Sequence, residues 1–269
     1  MLYNADMPGR ERSFRVEAVV LRHSDWGEAD RLLTLFTREM GKLRAVAKGV
    51  RKLRSRKAGH LEPFTRVSLQ MAQTRDMPII TQVETIQGFP ALSENLLLFG
   101  YASYVIELVD RFTFPGEENQ SIYRLLAASL ERLDQGLLPD LVIRYFELGL
   151  LDQLGFKPRL FQCARCEAEI QPVDQFFSAQ DGGVLCPKCG SGVQGARPVS
   201  MKALKYLRHF QRSTFTQAAR AQIAPGEYTE MENLIQYYLT YLLERSLNTP
   251  VFLRRLIRQA NTHDPDPAA

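Results

Sequence analysis

The four cysteines of the chain fall in two pairs, Cys163-x-x-Cys166 and Cys186-x-x-Cys189, with 19 residues between them. That spacing restricts the middle of the chain more than any apolar pattern does. Each Cys-x-x-Cys forms a tight turn that offers two sulfurs to one point, and a spacer of about 15–20 residues lets the chain fold back so that both pairs meet. Gly190 follows the second pair and allows a close turn. Four thiolates complete a tetrahedron around Zn2+ and leave no position for water, so the site expected is structural rather than catalytic. Two disulfides or a redox dithiol are the competing explanations. Disulfides fit poorly in a cytosolic chain, and a redox motif needs only one pair. Metal binding would contribute on the order of 10 kcal/mol to a segment with little core of its own.

Charge is unevenly spread. The net charge is +4, but residues 1–90 hold 16 Lys and Arg against 10 Asp and Glu, whereas residues 91–269 hold 18 against 20. A basic N-terminal part joined to a near-neutral remainder fits polyanion binding by one domain. The charge peaks in GKLRAVAKGVRKLRSRKAGH (Gly41–His60), which carries Lys42, Arg44, Lys48, Arg51, Lys52, Arg54, Arg56 and Lys57 and no acid. A solvated loop would read the same way. Phosphate binding would use these cations without regard to base sequence. The stretch contains no aromatic residue, so a surface dominated by charge rather than by stacking is expected there.

Around it, short β-like runs follow one another: 14–23, 31–38, 42–49, 64–73 and 78–88. Leu43, Ala45 and Ala47 alternate with Arg44, Val46 and Lys48, as a half-buried strand requires. The EMGK segment supplies a glycine for a hairpin turn. Five short strands with a polar insertion after the third suit a small barrel, either an OB-fold or an SH3-like one.

The remainder reads as helical. Residues 92–112 place Leu97, Tyr101, Tyr104 and Leu108 on one side, with Glu107 and Arg111 as an exposed i,i+4 pair. Residues 120–136 and 138–158 continue the period, the first stopping at Gly136 and the second starting with Pro139 in its first turn and stopping at Gly155 and Pro158. Short connections imply an antiparallel bundle. Beyond the cysteines, Ser200 is a candidate N-cap for a helix that buries Ala203, Leu204, Leu207 and Phe210. Another face carries Lys202, Lys205, His209 and Arg212, with Arg208 beside it, a second basic stripe for which a solvated helix face is the favoured explanation. Residues 226–247 and 249–259 read as two closing helices, the second with Pro250 in its first turn. The most apolar stretch, 137–156, is broken by Asp140, Arg144, Glu147 and Asp152, too many charges for a membrane span. The start of the chain is polar and has no apolar leader-like run. His23, His60, His209 and His263 are scattered, and neither a phosphate loop nor a dinucleotide fingerprint is present. Binding is favoured over catalysis.

The segment from Phe14 to Phe64 resembles the N-terminal region of the RecO family of bacterial recombination mediators, through AVVL, GEADRLLTLFT, GKLRAVAKGVRK and LEPF. LLERSLNTPVFLRRL is similar to that family's closing helices, and the cysteine pairs after LGFKPRL sit where many members carry zinc. The resemblance implies an α+β multidomain chain: an N-terminal OB-fold β-barrel (1–88), a C-terminal helical bundle (89–160 and 198–260) with an inserted four-cysteine zinc module (161–197), and a disordered tail (261–269). It implies a non-enzymatic mediator that binds single- and double-stranded DNA, anneals complementary strands, and with RecR promotes loading of RecA on strands coated by single-strand-binding protein. The contacts expected are Arg44, Lys48, Arg51, Lys52, Arg54, Arg56 and Lys57 for DNA, and Lys202, Lys205, Arg208 and Arg212 for the acidic tail of the coating protein. Structural zinc on Cys163, Cys166, Cys186 and Cys189 is the cofactor expected, and the location is cytoplasmic, at the nucleoid during repair. The alternative is a zinc-ribbon scaffold whose basic loop serves an acidic protein partner rather than DNA.

Overall fold

The computed structural model describes residues 13–262. The polar start, His263 and most of the tail expected to be disordered lie outside the described residues. Asn261 and Thr262, placed in that tail from sequence, belong to the last helix. The chain divides into two compact units, residues 13–89 with 113–123, and residues 90–112 with 124–262.

In the first unit, β1 (Ser13–Trp26), β2 (Asp30–Thr37), β3 (Gly41–Ala47), β4 (Arg66–Ala72) and β5 (Ile79–Gln87) form a mixed sheet that closes in the order β1-β2-β3-β5-β4. Closure between β3 and β5 is parallel and rests on one residue pair, Val46 with Ile79. Alternation produces the interior: Val16, Ala18, Leu33, Leu35, Ala45, Ala47, Leu69 and Met71 share one core, while Arg44 points to solvent. A register shift between Val20 and Arg22 bends β1 so that it pairs with both β2 and β4.

Gly41 closes the β2–β3 turn with φ +62, and a Cβ there would lie 1.9 Å from the Glu117 carbonyl oxygen. The segment 113–123, read from sequence as part of the helical domain, belongs to the barrel unit for this reason. Pro115 bridges to Gly41 and Lys42, and the Tyr123 hydroxyl donates to Glu17 at 2.9 Å.

The second unit holds α1 (Pro90–Glu94), α2 (Leu96–Phe112), α3 (Gln120–Asp134, its first turn grouped with the barrel), α4 (Pro139–Gln153), α5 (Pro187–Gly190), α6 (Met201–Arg212), α7 (Phe215–Ala218), α8 (Pro225–Leu243) and α9 (Thr249–Thr262). A small sheet of β6 (Gln175–Ser178), β7 (Gly183–Leu185) and β8 (Arg197–Val199) runs in the order β7-β6-β8. α4 packs against α2, α6 and α8. The helix expected over 92–112 is broken at Asn95, whose side chain accepts from the amides of Leu97 and Leu98 and so starts α2. Glu107, expected outside, is mostly covered. Its carboxylate accepts from the amides of Asn248 and Thr249 and from the Thr249 hydroxyl, and thus caps α9.

Candidate nucleic-acid interface and metal centre

The basic stretch leaves the barrel at the end of β3 and returns at β4. Two apolar anchors in the core, Val50 and Leu61, fix its ends. Between them the chain makes successive turns, with Lys52 N donating to Gly49 O and Ser55 N to Lys52 O. The head of the loop is tied to the β1–β2 turn. Gly49 N donates to Asp30 Oδ1 at 2.7 Å, and Arg51 N to Ala29 O at 2.9 Å. The Arg51 guanidinium pairs with Asp25 at 3.1 Å and also donates to the carbonyls of Gly27 and Glu28. Lys57 is drawn inward, and its ammonium donates to Lys48 O at 2.9 Å and Ile80 O at 3.3 Å. Burial lowers its pKa, with Asp30 opposing. Arg44, Lys48, Lys52, Arg54 and Arg56 are exposed, and their charged groups meet no protein partner among the described residues. The seven cations therefore sort into two that hold the loop in shape and five that are open to a ligand.

The four cysteine sulfurs lie within 4.8 Å of one another, and all four are free thiols. A Zn–S distance of about 2.3 Å in a tetrahedron requires S···S edges of about 3.8 Å; Cys166 Sγ and Cys186 Sγ are 3.9 Å apart. The donor set therefore fits a tetrahedral thiophilic ion. The first pair sits in a knuckle where Glu167, at φ +62, returns its amide to Cys163 O. The second pair opens α5. Burial pushes the Cys163 thiol up, but amides of Cys166, Cys186 and Arg165 outweigh it and bring its pKa down to about 6. Such amides favour a thiolate. Gly190, expected to ease the turn, instead makes room for packing, since a Cβ would lie 2.6 Å from Phe176 Cβ.

The second basic stripe is not a plain solvated face. Lys202, Lys205, Arg208 and Arg212 line a groove of about 1100 Å³ together with Phe161 and Leu204. The Arg212 guanidinium lies 3.5 Å from the Phe161 ring centre, and Arg208 lies 5.3 Å from it. Arg208 Nε donates to Leu160 O at 2.8 Å, while its Nη2 is buried without a hydrogen-bond partner among the described residues. Burial, with Arg212 alongside, lowers the Arg208 pKa. One acid, Glu227, also lines the groove and pairs with Lys202 at 3.7 Å. Cations around an apolar floor suit an acidic ligand with an apolar end.

Residues 12–89 match the family profile "Recombination protein O N terminal", and residues 93–250 match "Recombination protein O C terminal". The chain belongs to the RecO family. Among curated proteins, the "DNA repair protein RecO" of Roseiflexus sp. (strain RS-1) is 40% identical over 256 residues, 95% of this chain and 90% of that protein. The protein of the same name from Dehalococcoides mccartyi (strain CBDB1) is 34% identical over 247 residues, 92% of this chain and 97% of that protein. The one from Pelotomaculum thermopropionicum is 36% identical over 243 residues, covering 90% and 94%.

In this RecO-family chain, the sequence spacing led directly to the cysteine cluster. The division of the basic loop into lacing and open cations was not readable, because Asp25, Asp30 and Ile80, which occupy Arg51, Gly49 and Lys57, lie on other strands. Phe161, the apolar surface under Arg208 and Arg212, was also missed; its only signal was a lone aromatic just before Cys163. No helix among the described residues is long and apolar enough to cross a membrane.

Proposed function

We propose that this chain is a DNA-binding mediator of recombinational repair with no enzymatic step of its own, acting in the cytoplasm at the nucleoid. It binds single- and double-stranded DNA and anneals complementary strands. With RecR it promotes loading of RecA on strands coated by single-strand-binding protein. Family membership and relatives named as DNA repair proteins support the general role. The observation that carries DNA binding is the loop of open cations, Lys48, Lys52, Arg54 and Arg56 with Arg44 beside them, on a small closed barrel. The strand order β1-β2-β3-β5-β4 supports reading that barrel as an OB-fold, an architecture used to bind oligonucleotides. Cations acting on phosphates leave base edges free, as annealing requires. Zn2+ is the ion proposed for the cysteine cluster, in a structural role.

The first test is annealing of two complementary fluorescent oligonucleotides without nucleotide triphosphate. The intact protein should accelerate it. The variant Lys48→Glu/Lys52→Glu/Arg54→Glu/Arg56→Glu, which spares the lacing Arg51 and Lys57, should not. Each lost phosphate contact should also reduce the salt slope of single-strand binding by about 0.7. Normal annealing by the variant would move the DNA elsewhere. Absence of any binding by the intact protein would favour the scaffold that serves an acidic protein.

The groove on α6 supports a docking site for the acidic, apolar-ended tail of the coating protein. A tail peptide should lose roughly tenfold or more in affinity for Lys205→Ala/Arg212→Ala, a loss of about 1.4 kcal/mol or more. Equal affinities would reject that assignment.

A further inference from the structure

We propose that Trp26 is a stacking platform for a nucleobase of the single strand held by the basic loop. The inference rests on the DNA-binding reading above and adds a contact of a different kind to it. Trp26 is the only tryptophan of the chain and ends β1 at the β1–β2 turn, opposite Asp30. It is 47% exposed, and no ring or guanidinium covers it among the described residues. A lone exposed aromatic is ordinary by itself; its setting is what distinguishes this one. Arg51 grips the same turn three ways, through Asp25, Gly27 O and Glu28 O, and the Arg51 amide donates to Ala29 O. Gly49 N fixes Asp30, the residue paired with Trp26. These bonds attach the indole's turn to the head of the loop that carries Lys52, Arg54 and Arg56. They also neutralise Asp25 and occupy Asp30, two of the three acids between residues 25 and 30; the third, Glu28, is exposed. In five-stranded barrels of this kind, the connection between the first two strands is a usual place for oligonucleotides.

Cations on the backbone combined with an aromatic on a base is the usual means of holding a single strand without sequence preference. A duplex keeps its base faces stacked on one another and offers nothing to the ring. Trp26 therefore separates single-strand from duplex binding, while the cations serve both. One platform pins one base and leaves its neighbours free to pair.

Because the chain has a single tryptophan, its emission reports on Trp26 alone. The experiment titrates the full-length protein with a short labelled oligothymidylate, following anisotropy for binding and indole emission for stacking. Quenching should saturate along the binding curve. Inorganic polyphosphate, a charged chain without bases, should compete for the loop without quenching. Trp26→Ala should weaken single-strand binding roughly 5- to 100-fold, the range of one lost base–aromatic stack. The same variant should leave duplex affinity within about twofold, because its phosphate contacts are intact. Trp26→Phe should keep most of the single-strand affinity, which separates stacking from damage to the turn. An oligothymidylate that binds while the emission stays constant, with Trp26→Ala binding equally well, overturns this inference and leaves the DNA-binding reading standing. Failure of the intact protein to bind the oligonucleotide overturns both.

Discussion

Arg144 and Glu147 stand one turn apart on α4, and both are withdrawn from water. The Tyr104 hydroxyl donates to Glu147 Oε1 at 2.5 Å, and Arg144 Nη1 lies 3.0 Å from Oε2 without the alignment of a hydrogen bond. Burial raises the Glu147 pKa to about 7, against the opposing pull of Arg144 and Tyr104. A carboxyl that holds its proton more tightly when folded stabilises the fold below its unfolded pKa, and that contribution is lost as pH rises through the folded one. Stability of the helical unit should therefore fall between about pH 4.5 and about pH 7, and Glu147→Gln should remove that fall. Denaturant unfolding followed by far-ultraviolet circular dichroism across this range checks it. An unchanged slope in the variant would assign the dependence to another group. In the barrel unit the sign is opposite for Glu17. Burial alone would raise its pKa, but hydrogen bonds from Arg66 and Tyr123 and the charges of Arg66 and Arg38 hold it below the usual range. Its contribution is present above its unfolded pKa and is lost on acidification. The residue types at these positions were plain in the sequence. Their environments were not: from sequence Arg144 and Glu147 are only charges that break an apolar run, because the helices that bury them come from elsewhere in the chain.

At the scale of elements, most of the secondary structure follows from local rules. The strands of the barrel unit fall where alternation and β-branched residues predicted them. Ser200 caps α6 as expected, its hydroxyl accepting from Ala203 N, and the predicted apolar face of α6 is the buried one. The departures occur where an element is started or fixed by a residue distant in sequence. Glu107 caps α9 across 141 residues. Gly41 is held by a segment beyond α2, and this contact makes the position intolerant of a side chain. Gly41→Ala should cost at least about 2 kcal/mol, combining left-handed strain with a forced shift of the Glu117 backbone. Gly27, also left-handed at φ +58 but with open space around it, should cost only about 1 kcal/mol when changed to Ala. Urea unfolding read by the single tryptophan, which lies in the barrel, measures both. Equal costs would mean that contact with Glu117 does not matter.

At the scale of the molecule, the cysteine cluster and the basic loop belong to different compact units. The cluster lies beside a short three-stranded sheet, with Phe177 of β6 against Tyr238 of α8 at 5.4 Å. If zinc occupies it, elemental analysis should find about one ion per chain, as a four-thiolate site takes. A chelator should then loosen residues around 160–199, seen as faster amide exchange, and lower the stability of the helical unit. Oligonucleotide affinity should be retained, because the cations proposed to carry it are folded by the barrel unit. Lost DNA binding with an unchanged circular dichroism spectrum would contradict this and give the metal a part in the interface.

By itself the sequence determined the pieces whose physics is local. Cysteine spacing brings four thiols together wherever the spacer folds back, alternation and helical period choose strand or helix, and a run of cations without acids stays a basic surface in any fold. Tertiary structure decided what depends on distant partners. It divided the loop cations into those that hold the loop and those left open. It gave the α6 stripe an apolar floor in Phe161, turned Glu107 into a cap and Glu147 into a buried acid, and set the only tryptophan beside the basic loop. Each of these is a contact between residues far apart along the chain, and only the folded path sets the distances between them.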